Sequence, residues 1–154
     1  MPGIVWIHAV WMLAAVTVGT WSGYLGLLRA LHRPGGRSLL PGRFNLRVHQ
    51  WTGIVYYAML YVGIAGGFLM VQGFFKGESP AGIWVWHEYL ALAIGLIYAP
   101  GAWLGLDLLR KPAGPARARP ILHMILNFTA CTLIGAQILL GLYGAVWGKG
   151  MNQP

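Results

Sequence analysis

Charge is what this chain has least of. Of its 154 residues only 9% are charged, and just three are acidic. A soluble domain of this size carries roughly a quarter charged residues, so water is not the main solvent for this surface. Cysteine is nearly as scarce. Cys131 stands alone inside an apolar run, which excludes a disulfide within the chain. Nucleotide-binding loops, flavin motifs, iron–sulfur spacings and nucleophile constellations are all missing.

What is present is hydrophobic. Apolar residues make up 57% of the chain and the mean hydropathy is +0.60. They gather in four runs, at about 4–31, 44–72, 83–109 and 121–147. Each exceeds the roughly 20 residues that cross a bilayer. Inside a bilayer they have to be helical, because backbone groups must find partners within the segment. The first run has no basic stretch before it and is too long for the core of a cleavable signal. Turn-forming residues fall between the runs: Pro34, Gly35, Gly36, Pro41, Gly42, Ser79, Pro80, Pro112, Pro115 and Pro120. Pro100 lies inside the third run and is a candidate kink. The expected fold is all-α, a single integral membrane domain built as an up-down four-helix bundle.

The net charge of +8 does not point to nucleic acid, because the basic residues sit in short connections and not along a polar face. They set an orientation instead. The first connection and its flanks carry Arg29, Arg33, Arg37, Arg43 and Arg47, and the third carries Arg110, Lys111, Arg117 and Arg119. The opposite side has only Lys76 and Lys149. By the positive-inside rule, loops one and three face the cytoplasm and both termini lie outside, as in a bacterial inner membrane protein.

Each run carries one histidine a few residues inside its start: His8, His49, His87 and His123. A fifth, His32, sits among arginines at the end of the first run. Consecutive spans alternate direction, so His8 and His87 fall near the outer face, and His49 and His123 near the inner. Helices one and three, and two and four, are diagonal neighbours in such a bundle, so each pair offers two imidazoles at one depth. Ionisable residues within a span are functional candidates by default. Two histidines suit the axial positions of a haem. They suit zinc poorly, since zinc takes three or four protein ligands. With no Cys-x-x-Cys-His, a haem here would be non-covalent. The plainer alternative for one intramembrane histidine is a helix–helix hydrogen bond, which leaves unexplained why all four spans have one at matched depth.

Glycine repeats the pattern. Eighteen residues after each histidine stands Gly26, Gly67, Gly105 or Gly141. Eighteen residues make five whole turns, so histidine and glycine share a helix face about 27 Å apart. In antiparallel neighbours each glycine then reaches the depth of the other pair's histidines, where a missing side chain lets a flat macrocycle approach the backbone. The plainer reading is that small residues pack membrane helices in general. The histidine faces continue through Met12, Ala15 and Gly19, through Gly53, Tyr56 and Gly63, and through Asn127 and Ala130. Tyr56 and Trp103 are aromatics between the two layers, with plain packing as the alternative reading. Leu25-Gly26-Leu27 and Leu104-Gly105-Leu106 hold equivalent places after His8 and His87, a weak sign of internal repetition.

With His8, His49, His87 and His123 in these places, the chain resembles the cytochrome b561 family and its small bacterial four-helix relatives. The segment from Arg47 through His49, Gln50 and Trp51 to Gly53 looks like that family's second-helix start. The resemblance covers nearly the whole chain and implies transmembrane electron transfer through two non-covalent b-type haems, one near each face. It implies His8 and His87 as ligands of the outer haem and His49 and His123 of the inner one. Eukaryotic members enclose the same core within six helices. Respiratory cytochromes b and ferric-reductase domains carry two histidines on one helix, which no span does here.

Haem propionates need cationic partners, and Arg47, Arg43 and Arg29 are the inner-face candidates. Lys76, Trp84 and Trp86 are the outer ones. Glu88 and Asp107 are candidates for a proton carrier beside a quinone, whose binding stays open, or for ordinary side chains reaching water. With so little soluble mass, the chain is expected to need a redox protein partner or a larger membrane complex besides its lipid surroundings. Two other readings stand beside this one: a structural or assembly subunit, and a metal-ion transporter, which would need ligands converging at one depth.

Overall fold

The computed structural model describes residues 2–31, 43–74, 83–110 and 118–147, and they are helical except for the residues just before the second helix. Four helices follow one another: α1 (Pro2–Leu31), α2 (Leu46–Phe74), α3 (Ile83–Arg110) and α4 (Ala118–Trp147). All four are long and apolar enough to cross a membrane. Their bounds match the apolar runs to within a few residues. The largest difference is at α4, which takes in Pro120, expected in the connection. Proline is tolerated in a first helical turn, where its missing N–H has no helical acceptor to lose. Pro100 lies inside α3, and the chain is helical on both sides of it.

The start of α2 is fixed by Asn45. Its Oδ1 accepts the Val48 N–H at 3.1 Å, while its carbonyl accepts the His49 N–H at 2.9 Å. This is an N-cap, which satisfies amides that a helix start would otherwise leave bare. It sets His49 one turn into the helix.

The chain divides into two compact units, Met1–Gly63 and Ile64–Pro154. In the first, α1 and α2 run antiparallel. Trp11 donates its Nε1–H to the Met59 carbonyl at 2.8 Å, and Gly63 makes room for the Met12 sulfur. Gly19 lies under the ring of Tyr56, where a Cβ would come within 2.5 Å of Cε2, so no side chain fits. Ser22 and Gly26 meet His49. In the second unit, α3 and α4 pack together antiparallel, with Gly101 and Gly105 at His123 and with His87 at Gln137 and Gly141.

Each helix buries one narrow stripe. Ala15, Ser22, Leu25 and Leu28 form it on α1, Tyr56, Leu60 and Gly63 on α2, Ile94, Tyr98 and Gly101 on α3, and Ala130, Ile134 and Gln137 on α4. The spacings of three, four and seven keep each stripe on one face. The outward faces are equally apolar: Leu96 is 74% exposed and Trp103 70%. Tyr56 is buried against Gly19, and Trp103 is exposed. A helix apolar all round is a membrane span or the centre of a large core, and an outer surface of this kind is not one that soluble monomers present.

Candidate functional site

The four histidines are half-buried. Three have a described environment, and it repeats.

On α2, the Nδ1 of His49 lies 2.9 Å from the carbonyl oxygen of Ser22 on α1. A carbonyl can only accept, so Nδ1 carries the proton. The neutral ring then keeps its lone pair on Nε2, the state of an imidazole ready to bind a metal. The Ser22 hydroxyl lies 3.4 Å from the same Nδ1 and donates to the His49 carbonyl at 3.4 Å. One turn further along α1, Gly26 faces the ring, and a Cβ there would stand 3.3 Å from Cε1.

On α4, His123 repeats this arrangement. Its Nδ1 donates to the Gly101 carbonyl on α3 at 2.8 Å, and Gly105 faces the ring with a Cβ position 3.1 Å from Cε1. Asn127 donates to the His123 carbonyl at 2.6 Å. Gly101 holds in α3 the place of Ser22 in α1, fourteen residues after the histidine of its helix and four before the glycine. The repetition glimpsed in Leu-Gly-Leu therefore extends to hydrogen bonding.

On α3, His87 faces Gly141 of α4 with the same ring edge, Cε1 at 3.3 Å and Nδ1 at 3.6 Å from the Cβ position. Gln137, again four residues before the glycine, donates its Nε2–H to the His87 carbonyl at 2.8 Å. Gly26, Gly105 and Gly141 thus lie at the depth of a histidine on the neighbouring helix, and it is the imidazole edge that occupies the space their missing side chains leave. Gly67 and His8 are each half-buried.

Ser22 and Gln137 were not singled out from the sequence. They are the buried polar residues among the described ones, at 6% and 9% exposure, and each reaches the carbonyl of a histidine on its hairpin partner. The signal was available: counting fourteen from His8 and from His123 lands on Ser22 and on Gln137.

Around these ends lie the other candidates. Arg43 and Arg47 are exposed at the start of α2. Arg29 stands 5.4 Å over the Phe44 ring, whose centroid is 5.8 Å from that of His49. Asp107 is paired with Arg119 at 2.9 Å across the α3–α4 hairpin. Glu88 is half-buried and Trp86 exposed. His32, Lys76 and the side chain of Trp84 lie outside the described residues.

Among the described residues no three His, Cys, Asp or Glu side chains gather as a metal-ion site. A two-histidine axial site is not of that kind. It needs neutral imidazoles, each with Nδ1 hydrogen-bonded to a neighbouring acceptor and Nε2 presented, as in a metal-bound histidine. His49 and His123 have the Nδ1 half of that arrangement. No family model, curated protein or solved structure matches the chain.

Proposed function

We propose that the chain is a membrane-spanning electron-transfer protein that holds two non-covalent b-type haems through His8, His49, His87 and His123. One observation carries the reading. His49 and His123, on different hairpins, are fixed in the same tautomer by the same means: an Nδ1–H bond to a backbone carbonyl one turn before a glycine. The glycine beside each ring lets the two helices approach closely enough for that bond. A ligand needs its ring locked and its Nε2 presented.

The order of the spans pairs His8 with His87 near the outer face and His49 with His123 near the inner one. Haem supplies reversible one-electron chemistry when bound. The chain's own residues hold the imidazoles at fixed depth, surround them with apolar side chains that exclude water, and present Arg43, Arg47 and Arg29 to carboxylates at the inner end. The distribution of basic residues supports a bacterial inner membrane with loops one and three cytoplasmic. Electrons are exchanged with a redox protein partner, a larger complex or quinone.

The test is a reduced-minus-oxidised spectrum of the purified protein, with haem extracted and counted per chain. Two b-type haems are expected. A protein purified intact from haem-replete cells with no b-type band would overturn the reading, and a single haem would remove half of it.

A further inference from the structure

Gln137 is a buried amide in an apolar hairpin. It lies within the α3–α4 unit, on the face of α4 that carries Gly141. Its Nε2 donates to the His87 carbonyl at 2.8 Å. Only the nitrogen can do this, because a carbonyl accepts and does not donate. The assignment of the amide ends is thus fixed, and Oε1 is the end left over. That oxygen has less than 1 Å² of exposed surface and no hydrogen-bond partner among the described residues. A buried acceptor without a donor is unfavourable, so a donor is expected to come to it.

The other two histidines show which donor lies in reach. At His49, the Ser22 hydroxyl is 3.4 Å from both the carbonyl and Nδ1. At His123, the Asn127 amide nitrogen is 2.6 Å from the carbonyl and 3.3 Å from Nδ1. Twice, then, a polar group that touches the histidine's carbonyl also lies beside its Nδ1. The position fourteen residues after a helix's own histidine also recurs. Ser22 and Gly101 supply from it the oxygen that takes the Nδ1–H of the neighbouring histidine, and Gln137 holds the same position in α4.

We infer that Gln137 is the positioning residue of His87, with Nε2 tied to the His87 backbone and Oε1 accepting the Nδ1–H when His87 ligates through Nε2. The inference rests on the di-haem reading and adds an asymmetry to it. His49 and His123 donate to backbone carbonyls, which substitution cannot remove. His87 donates to a side chain, so the electron density on its ring can be changed by mutation. A hydrogen bond from Nδ1–H raises the basicity of a ligating imidazole and favours the oxidised metal. Gln137 therefore holds the reduction potential of the His87 haem below the value it would have without that bond.

The experiment uses the whole haem-loaded protein in detergent and compares wild type with Gln137→Met and Gln137→Glu. Methionine has nearly the same length and lacks the acceptor. Potentiometric titration reads the two haems separately, and low-temperature electron paramagnetic resonance reads the ligand field of each. Gln137→Met should retain two haems, raise the potential of one by about tenfold in its reduction equilibrium (~59 mV for one electron), change that haem's signal and leave the other haem alone. A merely structural role would lower stability without a signed shift confined to one haem.

Two haems with unchanged potentials and signals would overturn the role of Gln137 and leave the di-haem reading standing. Equal movement of both haems would also overturn it. If Gln137→Met loses haem, Gln137→Glu decides, because it restores an acceptor: it must hold both haems without the rise, and failure to do so overturns the inference. A wild-type protein without haem overturns the di-haem reading itself.

Discussion

His123 and Gly101 are joined by a 2.8 Å hydrogen bond from the imidazole Nδ1–H to the backbone carbonyl. The bond crosses from α4 to α3, and one turn later Gly105 lies against the same ring. Backbone and absent side chain together fix the tautomer and orientation of the histidine. His49, Ser22 and Gly26 do the same on the other hairpin.

Ligand substitutions should separate the two haems. His8→Ala or His87→Ala is expected to remove one haem and largely spare the other, and His49→Ala or His123→Ala to do the reverse. Haem content per chain and the two titration midpoints check this. Loss of both haems from each single substitution would argue against two independent sites.

The glycines should tolerate added volume in the order of their distances. A Cβ at Gly105 would sit 3.1 Å from His123, tighter than the 3.3 Å at Gly26 and Gly141. Gly105→Val should therefore displace the ring and cost the haem it serves, with Gly26→Val and Gly141→Val less severe. Gly23, on the same stretch of α1 as Gly26, has nothing within 4 Å of its Cβ position, so Gly23→Ala serves as the control. Haem occupancy after size-exclusion chromatography reads the series, and equal loss in all four would remove the meaning assigned to the glycines.

The apolar outer faces predict that the protein stays in the membrane after an alkaline carbonate wash and is released only by detergent. Reporter fusions at loops one and three should be active on the cytoplasmic side, and fusions at loop two and the C-terminus on the other. Opposite reporter signs would reverse the orientation and leave the places of the histidines within the spans unaffected.

Asn45→Ala should cost about 1 kcal/mol by removing the N-cap of α2. Because His49 is only one turn away, thermal release of its haem should come first, at a lower temperature than in the wild type. By contrast, Asp107→Asn breaks an ion pair whose Arg119 side is half exposed, so its cost should stay below about 1 kcal/mol. Absorbance melts of the haem band distinguish the two.

Much of the helix layout was legible because the bilayer constraint is severe. Apolar runs of this length admit one secondary structure, and their ends follow from proline, glycine and charge. The histidine–glycine offset was legible too, since five whole turns return to one face. What lay against the glycines was not. The edge of the neighbouring imidazole lies at Gly26, Gly105 and Gly141, a contact between helices that no single span announces. Nor were Ser22 and Gln137 foreseen, because in a helix a serine back-bonds to its own turn as readily as it reaches a neighbour. Which aromatics turn outward was not legible either: Trp103 is exposed and Tyr56 buried, and composition does not tell the two apart.

The fourteen- and eighteen-residue offsets make α1 and α3 rulers with marks at both ends. Substitution at most positions leaves the marks in place, whereas inserting or deleting one residue between them turns the far end by about 100° and moves it about 1.5 Å. The near histidine would stay in place while the neighbour's histidine lost its carbonyl and its glycine together. Changes of length should therefore be confined to the connections, and a family descended from this chain would be recognised by its intervals sooner than by its letters.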